Sequence, residues 1–155
     1  MITRDLLKAI RGQFALDWQG IHGAPHWARV HANGLRLAES TGANIAVVRL
    51  FAFLHDSRRI HDGRDALHGT RAAQFAAELR GQVFELPDAE FELLVAACRG
   101  HSDGLMEADI TVQTCWDADR LDLGRVGIEP EPARLCTAAA REPALIAWAY
   151  GRSLC

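Results

Sequence analysis

The stretch 45-IAVVRLFAFLHD-56 decides the fold of this 155-residue chain. Its apolar run, interrupted by Arg49, predicts a helix buried in a protein core. The run ends in His55-Asp56, two side chains of the kind that bind metals. A core helix seldom ends in such a pair unless something holds both side chains, so we predict a binding site at the end of this helix. The alternative is that His55 packs in the core and Asp56 caps a loop.

The composition describes an ordinary globular protein. Hydrophobic residues make up 49% of the chain, which is long enough to form one domain, 1–155, with a real core. The net charge of −3 argues against a general nucleic-acid binder. No apolar stretch approaches the roughly 20 residues of a membrane span, and the first residues lack the apolar segment of a signal peptide. We therefore expect a cytoplasmic protein that does not associate with membranes.

Apolar residues recur at helical spacing along the chain, and no sustained alternation predicts a strand. We predict an all-α fold, a compact helical bundle with a short C-terminal helical extension. Thr3, Pro25, Gly42 and Pro143 are the local start and stop signals. The four cysteines are widely spaced without a CxxC motif, which predicts reduced, structural thiols. The predicted helices cover about 3–16, 25–40, 43–56, 68–79, 87–100 and 110–121, with two short helices within 130–152.

Six nitrogen and oxygen donors lie near the ends of these predicted helices, and no thiolate joins them. Such a set suits a hard or borderline divalent ion: manganese, magnesium, iron, cobalt or zinc. Taken singly, most of these histidines would be structural or solvated, so the prediction depends on the whole set. The six donors are His26, His55, Asp56, His68, His101 and Asp119.

Two other places in the sequence compete with members of this set. His61-Asp62 is a second His-Asp pair, but it lies in a polar loop that contains glycine. We interpret this pair as solvated, with His61 as a remote candidate for substrate contact. Asp117 precedes Asp119 in a semi-apolar helix, and at least one of the two is expected to point inward. A buried carboxylate needs a partner or a metal, so the choice between them stays open at this point.

In this order the donors resemble the HD superfamily of metal-dependent phosphohydrolases. The similarity covers about residues 22–123 and is specific only in combination. It implies that His26, His55, Asp56 and Asp119 bind the metal. Asp119 is chosen as the last ligand because the family pattern places its last Asp directly before an Arg-Leu-like pair, and Asp117 is the fallback. The matching segments are His26-Trp27-Ala28-Arg29-Val30, His55-Asp56 after Ala52-Phe53-Leu54, and 117-DADRLD-122.

Superfamily members with two metals carry two further histidines between the His-Asp pair and the last Asp. His68 and His101 fall in that order, so they are predicted to hold either a second metal or a substrate phosphate. Asp122 and Arg29 are expected to support the ligands. Ser102 stands where the phosphodiesterases of the HD-GYP group have a second consecutive His, and no Gly-Tyr-Pro follows. Hydrolysis of cyclic dinucleotides is therefore not expected.

The resemblance implies a hydrolase that attacks a nucleotide or another small phosphate ester with a metal-activated water. Asp56, His68 and His101 would be catalytic. Arg58 and Arg59 would neutralise phosphate charge, although a solvated basic loop explains both arginines equally well. Two alternatives stay open, a di-iron oxygenase of the same superfamily and a non-catalytic ligand-binding module. The identity of the substrate, the metal, the choice between one and two metals, and the oligomeric state are not predicted.

Overall fold

Seven α-helices and two 3-10 turns make up the chain, and the computed structural model describes residues 1–155. No β-strand is present, so the predicted all-α fold is confirmed. None of the helices is both long and apolar enough to cross a membrane. The helices are α1 (Arg4–Gln13), α2 (Ala24–Thr41), α3 (Ile45–Leu54), α4 (His68–Leu79), α5 (Asp88–Gly100), α6 (Ile110–Arg120) and α7 (Pro143–Ser153), and the 3-10 turns are Leu123–Val126 and Pro132–Arg134.

Local capping residues fix where the first helices begin and end. The Thr3 hydroxyl accepts a hydrogen bond from the backbone N–H of Leu6 at 3.1 Å, and the side chain of Asn44 caps α3 in the same way. Because Asn44 is the cap, α3 begins at Ile45 rather than near residue 43. The residue after α2 is Gly42, whose left-handed conformation (φ 71°) favours glycine and ends the helix.

Two features of the predicted helix pattern were wrong. α1 ends at Gln13 rather than near residue 16, because Phe14 leaves the helix in an extended conformation. Its ring packs against Trp27, with the ring centroids 5.0 Å apart. The first of the two short helices predicted within 130–152 is only the 3-10 turn Pro132–Arg134, because the chain after it is held in an irregular path by hydrogen bonds to α6.

The central helix of the bundle is α3. It packs against α2, α5 and α6, and six of its ten residues are buried. α2 and α3 approach closely at Gly34, where an added Cβ would lie 2.5 Å from a methyl carbon of Val48. The buried apolar cluster extends from Leu6 in α1 to Ala149 in α7, and each large side chain buried in it contributes about 1.5–3 kcal/mol. The C-terminal end of α3 therefore lies inside the bundle, and the His-Asp pair follows it there.

The carboxylate of Asp117 fastens the C-terminal segment to α6. It is fully buried and accepts hydrogen bonds from the backbone N–H of Cys136 at 2.7 Å and from the N–H and hydroxyl of Thr137 at 2.8 and 2.7 Å. These donors give the buried carboxylate the partners that it needs. The carboxylate of Asp117 therefore has a structural role, and both of its oxygens are occupied within the protein.

Candidate metal centre

Five helix ends converge on one place inside the bundle. Four histidines and two aspartates direct side-chain nitrogen and oxygen atoms to it, and all are buried except Asp119, whose side chain is 15% exposed. The six residues singled out in the sequence are therefore neighbours in space. They are His26 at the start of α2, His55 and Asp56 after α3, His68 at the start of α4, His101 after α5 and Asp119 near the end of α6.

The first cluster consists of His26, His55, Asp119 and one oxygen of Asp56. The Nε2 atoms of His26 and His55 lie 3.1 Å apart. Asp119 Oδ1 lies 3.3 Å from the first of these nitrogens and 3.5 Å from the second. Asp56 Oδ2 lies 3.5 Å from His26 Nε2 and 3.7 Å from His55 Nε2. Two nitrogens and two oxygens thus surround one small space.

The second cluster consists of His68, His101 and the other oxygen of Asp56. The Nε2 atoms of the two histidines lie 2.8 Å apart. Asp56 Oδ1 lies 3.2 Å from His68 Nε2 and 3.3 Å from His101 Nε2. The carboxylate of Asp56 therefore stands between the two clusters and presents one oxygen to each.

Hydrogen bonds at the outer nitrogen, Nδ1, orient the histidine rings. In His55, His68 and His101 this nitrogen donates to backbone carbonyls, which can only accept, so it carries the ring proton. In the neutral ring the inner nitrogen, Nε2, is then an unprotonated lone pair. The accepting carbonyls belong to Phe51 and Ala52 for His55 (both 3.1 Å), to Asp65 for His68 and to Cys98 for His101 (2.7 Å).

A carboxylate orients the fourth histidine. His26 Nδ1 donates to Asp122 Oδ2 at 2.6 Å, and the other oxygen of Asp122 accepts from Arg29 Nε at 2.7 Å. Asp122 is 1% exposed, so both bonds are shielded from water. Metal-binding histidines in proteins are commonly fixed by this type of partner.

The donor chemistry fits a divalent cation. In their neutral forms the four rings would point bare lone pairs at one another in two pairs, an arrangement that is repulsive unless a positive charge lies between the nitrogens. Imidazole nitrogens and carboxylate oxygens without thiolate suit manganese, iron, cobalt, zinc and related ions. The residues present can therefore hold a divalent metal in the first cluster, and a second one where His68 and His101 meet.

One solved structure resembles this protein over nearly its whole length. No model of a protein family matches the sequence, and no curated protein matches it. A 1.45 Å crystal structure of a predicted HD superfamily hydrolase from an uncultured Thermotogales bacterium matches with a TM-score of 0.71 and 25% identity, over 96% of this chain and 84% of that one. This match in fold and sequence supports the HD superfamily for the chain. The resemblance read from the sequence is thus confirmed.

The two clusters together form one site, which we call the HD centre. When no metal is bound, contacts between its histidines and the surrounding carboxylates determine which of these groups are charged. Burial acts to lower the pKa of His26, but hydrogen bonds to three carboxylates raise it to about 9. These carboxylates are Asp119, Asp122 and Asp56. Burial likewise acts to raise the pKa of Asp56 and of Asp119, but the surrounding histidines hold both pKa values well below the usual range. In the metal-free protein a proton on His26 therefore supplies positive charge to the first cluster.

We expect metal binding to release a proton. A histidine must be deprotonated to ligate, and His26 holds its proton up to a pH of about 9 in the metal-free protein. Apparent metal affinity should therefore rise with pH and level off above about pH 9. Calorimetric titrations with manganese near pH 7.5 in two buffers of different ionisation enthalpy measure the proton count. Equal heats in both buffers would contradict this assignment.

The second cluster depends on a close approach between α4 and α5. A Cβ added at Gly69 would lie 2.4 Å from the backbone oxygen of Cys98 and 3.1 Å from that of Arg99. The Cys98 carbonyl is the one that accepts from His101 Nδ1. Glycine at position 69 thus lets the start of α4 sit against the end of α5 and brings His68 to His101.

Gly69→Ala is expected to open the second cluster. The methyl group would meet backbone atoms that cannot swing aside, so the two helices must separate, at a cost of about 1–3 kcal/mol of unfolding free energy. Affinity for a second metal should fall more than affinity for the first. The matched control is Gly12→Ala in α1, where an added Cβ meets nothing within 4 Å. Metal stoichiometry and thermal unfolding are measured for both variants. Unchanged binding of two metals by Gly69→Ala would contradict the prediction.

A cleft of about 800 Å³ opens onto the HD centre. Asp56, His101 and Asp119 line it from the side of the helix bundle. Residues within 123–135, which follow α6, provide much of its remaining lining. The C-terminal segment that Asp117 fastens to α6 therefore helps to shape the space in front of the centre.

The two arginines predicted to bind phosphate lie on different sides of the loop after α3. Arg59 lines the cleft, and its Nε donates to Asp56 Oδ1 at 3.1 Å. Arg58 points away from the centre, because its Nη1 donates to Gln13 Oε1 in α1 at 2.8 Å and its guanidinium lies over the ring of Phe75. Of these two arginines, only Arg59 is therefore placed to meet a ligand in the cleft.

The second His-Asp pair of the sequence lies away from the HD centre. His61 is exposed, and the side chain of Asp62 is 54% exposed. Asp62 Oδ1 accepts at 2.9 Å from Nδ1 of His22, which lies just before α2. This pair helps to hold the loop after α3 against the start of α2.

Sequence reasoning missed the role of Asp65. Both of its carboxylate oxygens accept from Arg71 Nη2 at 2.6 Å, one of them also accepts from the backbone N–H of Ile60, and its own carbonyl accepts from His68 Nδ1. Asp65 thus folds the loop and orients a histidine of the second cluster. Asp65 lies three residues before His68 and Arg71 three residues after it. This spacing was the available sequence signal for their contact.

Proposed function

We propose that this HD protein is a metal-dependent phosphohydrolase that acts on a nucleotide or another small phosphate ester in the cytoplasm. One observation carries the proposal: four histidine Nε2 atoms and three carboxylate oxygens converge beside a cleft that also presents the guanidinium of Arg59. The predicted hydrolase that shares this fold supports the reaction class.

The residues of the first cluster have distinct roles in this proposal. A divalent cation at such a centre supplies a nucleophile from water at neutral pH and offsets charge on a phosphoryl oxygen. His26, His55 and Asp119 would hold that cation, with His26 fixed by Asp122. Asp56 would ligate from the middle of the centre, with Oδ2 toward the first cluster and Oδ1 toward the second.

The proton positions favour a second cation over direct phosphate binding by His68 and His101. Both rings donate their Nδ1 proton to a backbone carbonyl. In the neutral form of the rings, their Nε2 atoms would have no proton to donate to a phosphate oxygen, whereas both would be able to ligate a metal. We accordingly propose two metals, with His68, His101 and Asp56 around the second.

The cleft offers partners for the rest of the substrate. Arg59 uses Nε and Nη1 for Asp56 and for backbone carbonyls of its own loop, and its Nη2 makes no hydrogen bond within the protein. That free donor suits a phosphate oxygen. Met106, Leu123 and Ile128 line the same cleft and provide apolar surface for the uncharged part of an ester, such as a nucleoside.

A phosphate-release screen tests the proposal. Protein purified without chelator is assayed on nucleoside monophosphates and simple phosphate esters, before and after addition of manganese, with oxygen consumption followed in parallel. We expect manganese-dependent phosphate release that chelation abolishes. The donor set also suits two irons, so bound iron with oxygen consumption and no phosphate release would point to the oxygenase chemistry instead. Metal-independent ligand binding without either activity would point to a binding module.

A further inference from the structure

Arg125 lies in the cleft beside the first cluster. It belongs to the 3-10 turn Leu123–Val126, which directly follows Asp122. Its Nε donates to the backbone carbonyl of Ile21 at 2.9 Å, and its Nη1 donates to the carbonyl of Asp122 at 3.0 Å. Two hydrogen bonds to the main chain thus hold the guanidinium in a fixed orientation, and its Nη2 makes no hydrogen bond within the protein.

The charge of Arg125 is not balanced by any carboxylate within ion-pair distance. The other arginines around the centre have such partners: Arg29 contacts Asp122 at 2.7 Å, and Arg59 contacts Asp56 at 3.1 Å. Arg120 also lacks a carboxylate partner, but its guanidinium nitrogens already donate to two backbone carbonyls and two sulfur atoms. A fixed guanidinium with an open donor and an uncompensated charge is suited to bind an anion.

Arg125 and Arg59 lie near different clusters. Arg59 contacts the oxygen of Asp56 that faces the second cluster. Arg125 Nη1 donates to the backbone carbonyl of Asp122, whose carboxylate accepts from His26 Nδ1 in the first cluster. A phosphoryl group bound at the centre would therefore have a guanidinium near each cluster.

We infer that Arg125 binds phosphoryl oxygens of the substrate in the cleft, as the counterpart of Arg59. This inference rests on the proposed function, since it assigns the anion as a phosphate ester. It extends the substrate site beyond the last expected ligand, Asp119, into the chain that follows α6. Because the guanidinium is braced by main-chain carbonyls, substrate binding would require little reordering of the side chain.

Inorganic phosphate is the probe for this assignment. Its binding to manganese-loaded protein, freed of excess metal, is measured by calorimetry for the wild type, Arg125→Gln and Arg125→Lys. Loss of one charge-assisted interaction predicts phosphate binding about 10- to 100-fold weaker in Arg125→Gln, with partial recovery in Arg125→Lys. Arg99→Gln is the matched control, since Arg99 is exposed, lies outside the cleft and makes no ion pair.

Metal content and ester kinetics complete the test. All variants should keep the metal stoichiometry of the wild type, and Arg125→Gln should raise KM for a phosphate monoester more than it lowers kcat. If the wild type binds phosphate and Arg125→Gln binds it equally well, the inference is overturned while the proposed hydrolase stands. If the wild type binds no phosphate and hydrolyses no ester, both fail together.

Discussion

Replacing Asp56 with alanine is expected to abolish metal-dependent phosphate release and to remove most bound metal. The carboxylate presents one oxygen to each histidine pair, at 3.2–3.7 Å from their Nε2 atoms. Loss of a residue that merely supports a ligand costs about 10–100-fold in affinity or activity, so loss of a shared ligand should exceed that range. Metal content by mass spectrometry and phosphate release with manganese measure both effects.

Asp62→Ala is the matched control, because Asp62 is the aspartate of the other His-Asp pair. Its own side chain is 54% exposed, and its only charged-group contact is with the buried His22, an interaction worth about 1 kcal/mol. We expect normal metal content and activity in this variant. Asp56→Asn keeps the shape of the side chain but removes its charge. This variant therefore separates the effect of the lost charge from any effect on folding. Wild-type activity in a folded Asp56→Ala protein would contradict the assignment of Asp56.

The second large effect is expected for Asp122→Asn. The carboxylate holds both His26 and Arg29 in a buried position. An amide can accept from only one of these donors while turning its own N–H₂ toward the other. Breaking a buried charged contact costs about 3 kcal/mol or more of unfolding free energy, and the freed His26 ring should lower metal affinity by about 10–100-fold.

Arg29→Gln separates these two consequences. It removes one donor from Asp122 but leaves the bond between Asp122 and His26, so stability should fall while metal affinity changes little. Thermal unfolding of the metal-free proteins and competitive metal titration give the two quantities independently. Equal losses of metal affinity in Asp122→Asn and Arg29→Gln would contradict a specific role of Asp122 in orienting His26.

Local sequence signals were sufficient for most of the fold. Thr3, Gly42 and Pro143 act on their own helix ends through hydrogen bonds or fixed backbone angles, so their effects are readable without tertiary context. Phe14 shows the limit, because it leaves α1 to pack on Trp27, a contact with a residue in another helix. Helix length at that point is decided by packing, which the local pattern does not contain.

The six donors of the centre were predictable from their order along the chain. The residues that support these donors were not predictable from that order. The order His, His-Asp, His, His, Asp belongs to one superfamily pattern, and the structure brings all six side chains together. The roles of Asp65, Gly69 and Arg125 depend on which helix ends meet. Arg58 and Arg59 are neighbours in sequence, yet only the structure shows that one faces α1 and the other faces the cleft.

The number of metal ions bound per chain tests the central claim most directly. Protein purified without chelator, or metal-free protein reconstituted with manganese, is analysed for metal and protein in the same sample. We predict two divalent cations per chain, one in each histidine cluster. One cation would contradict the role given to His68 and His101, and no bound metal after reconstitution would contradict the metal centre itself.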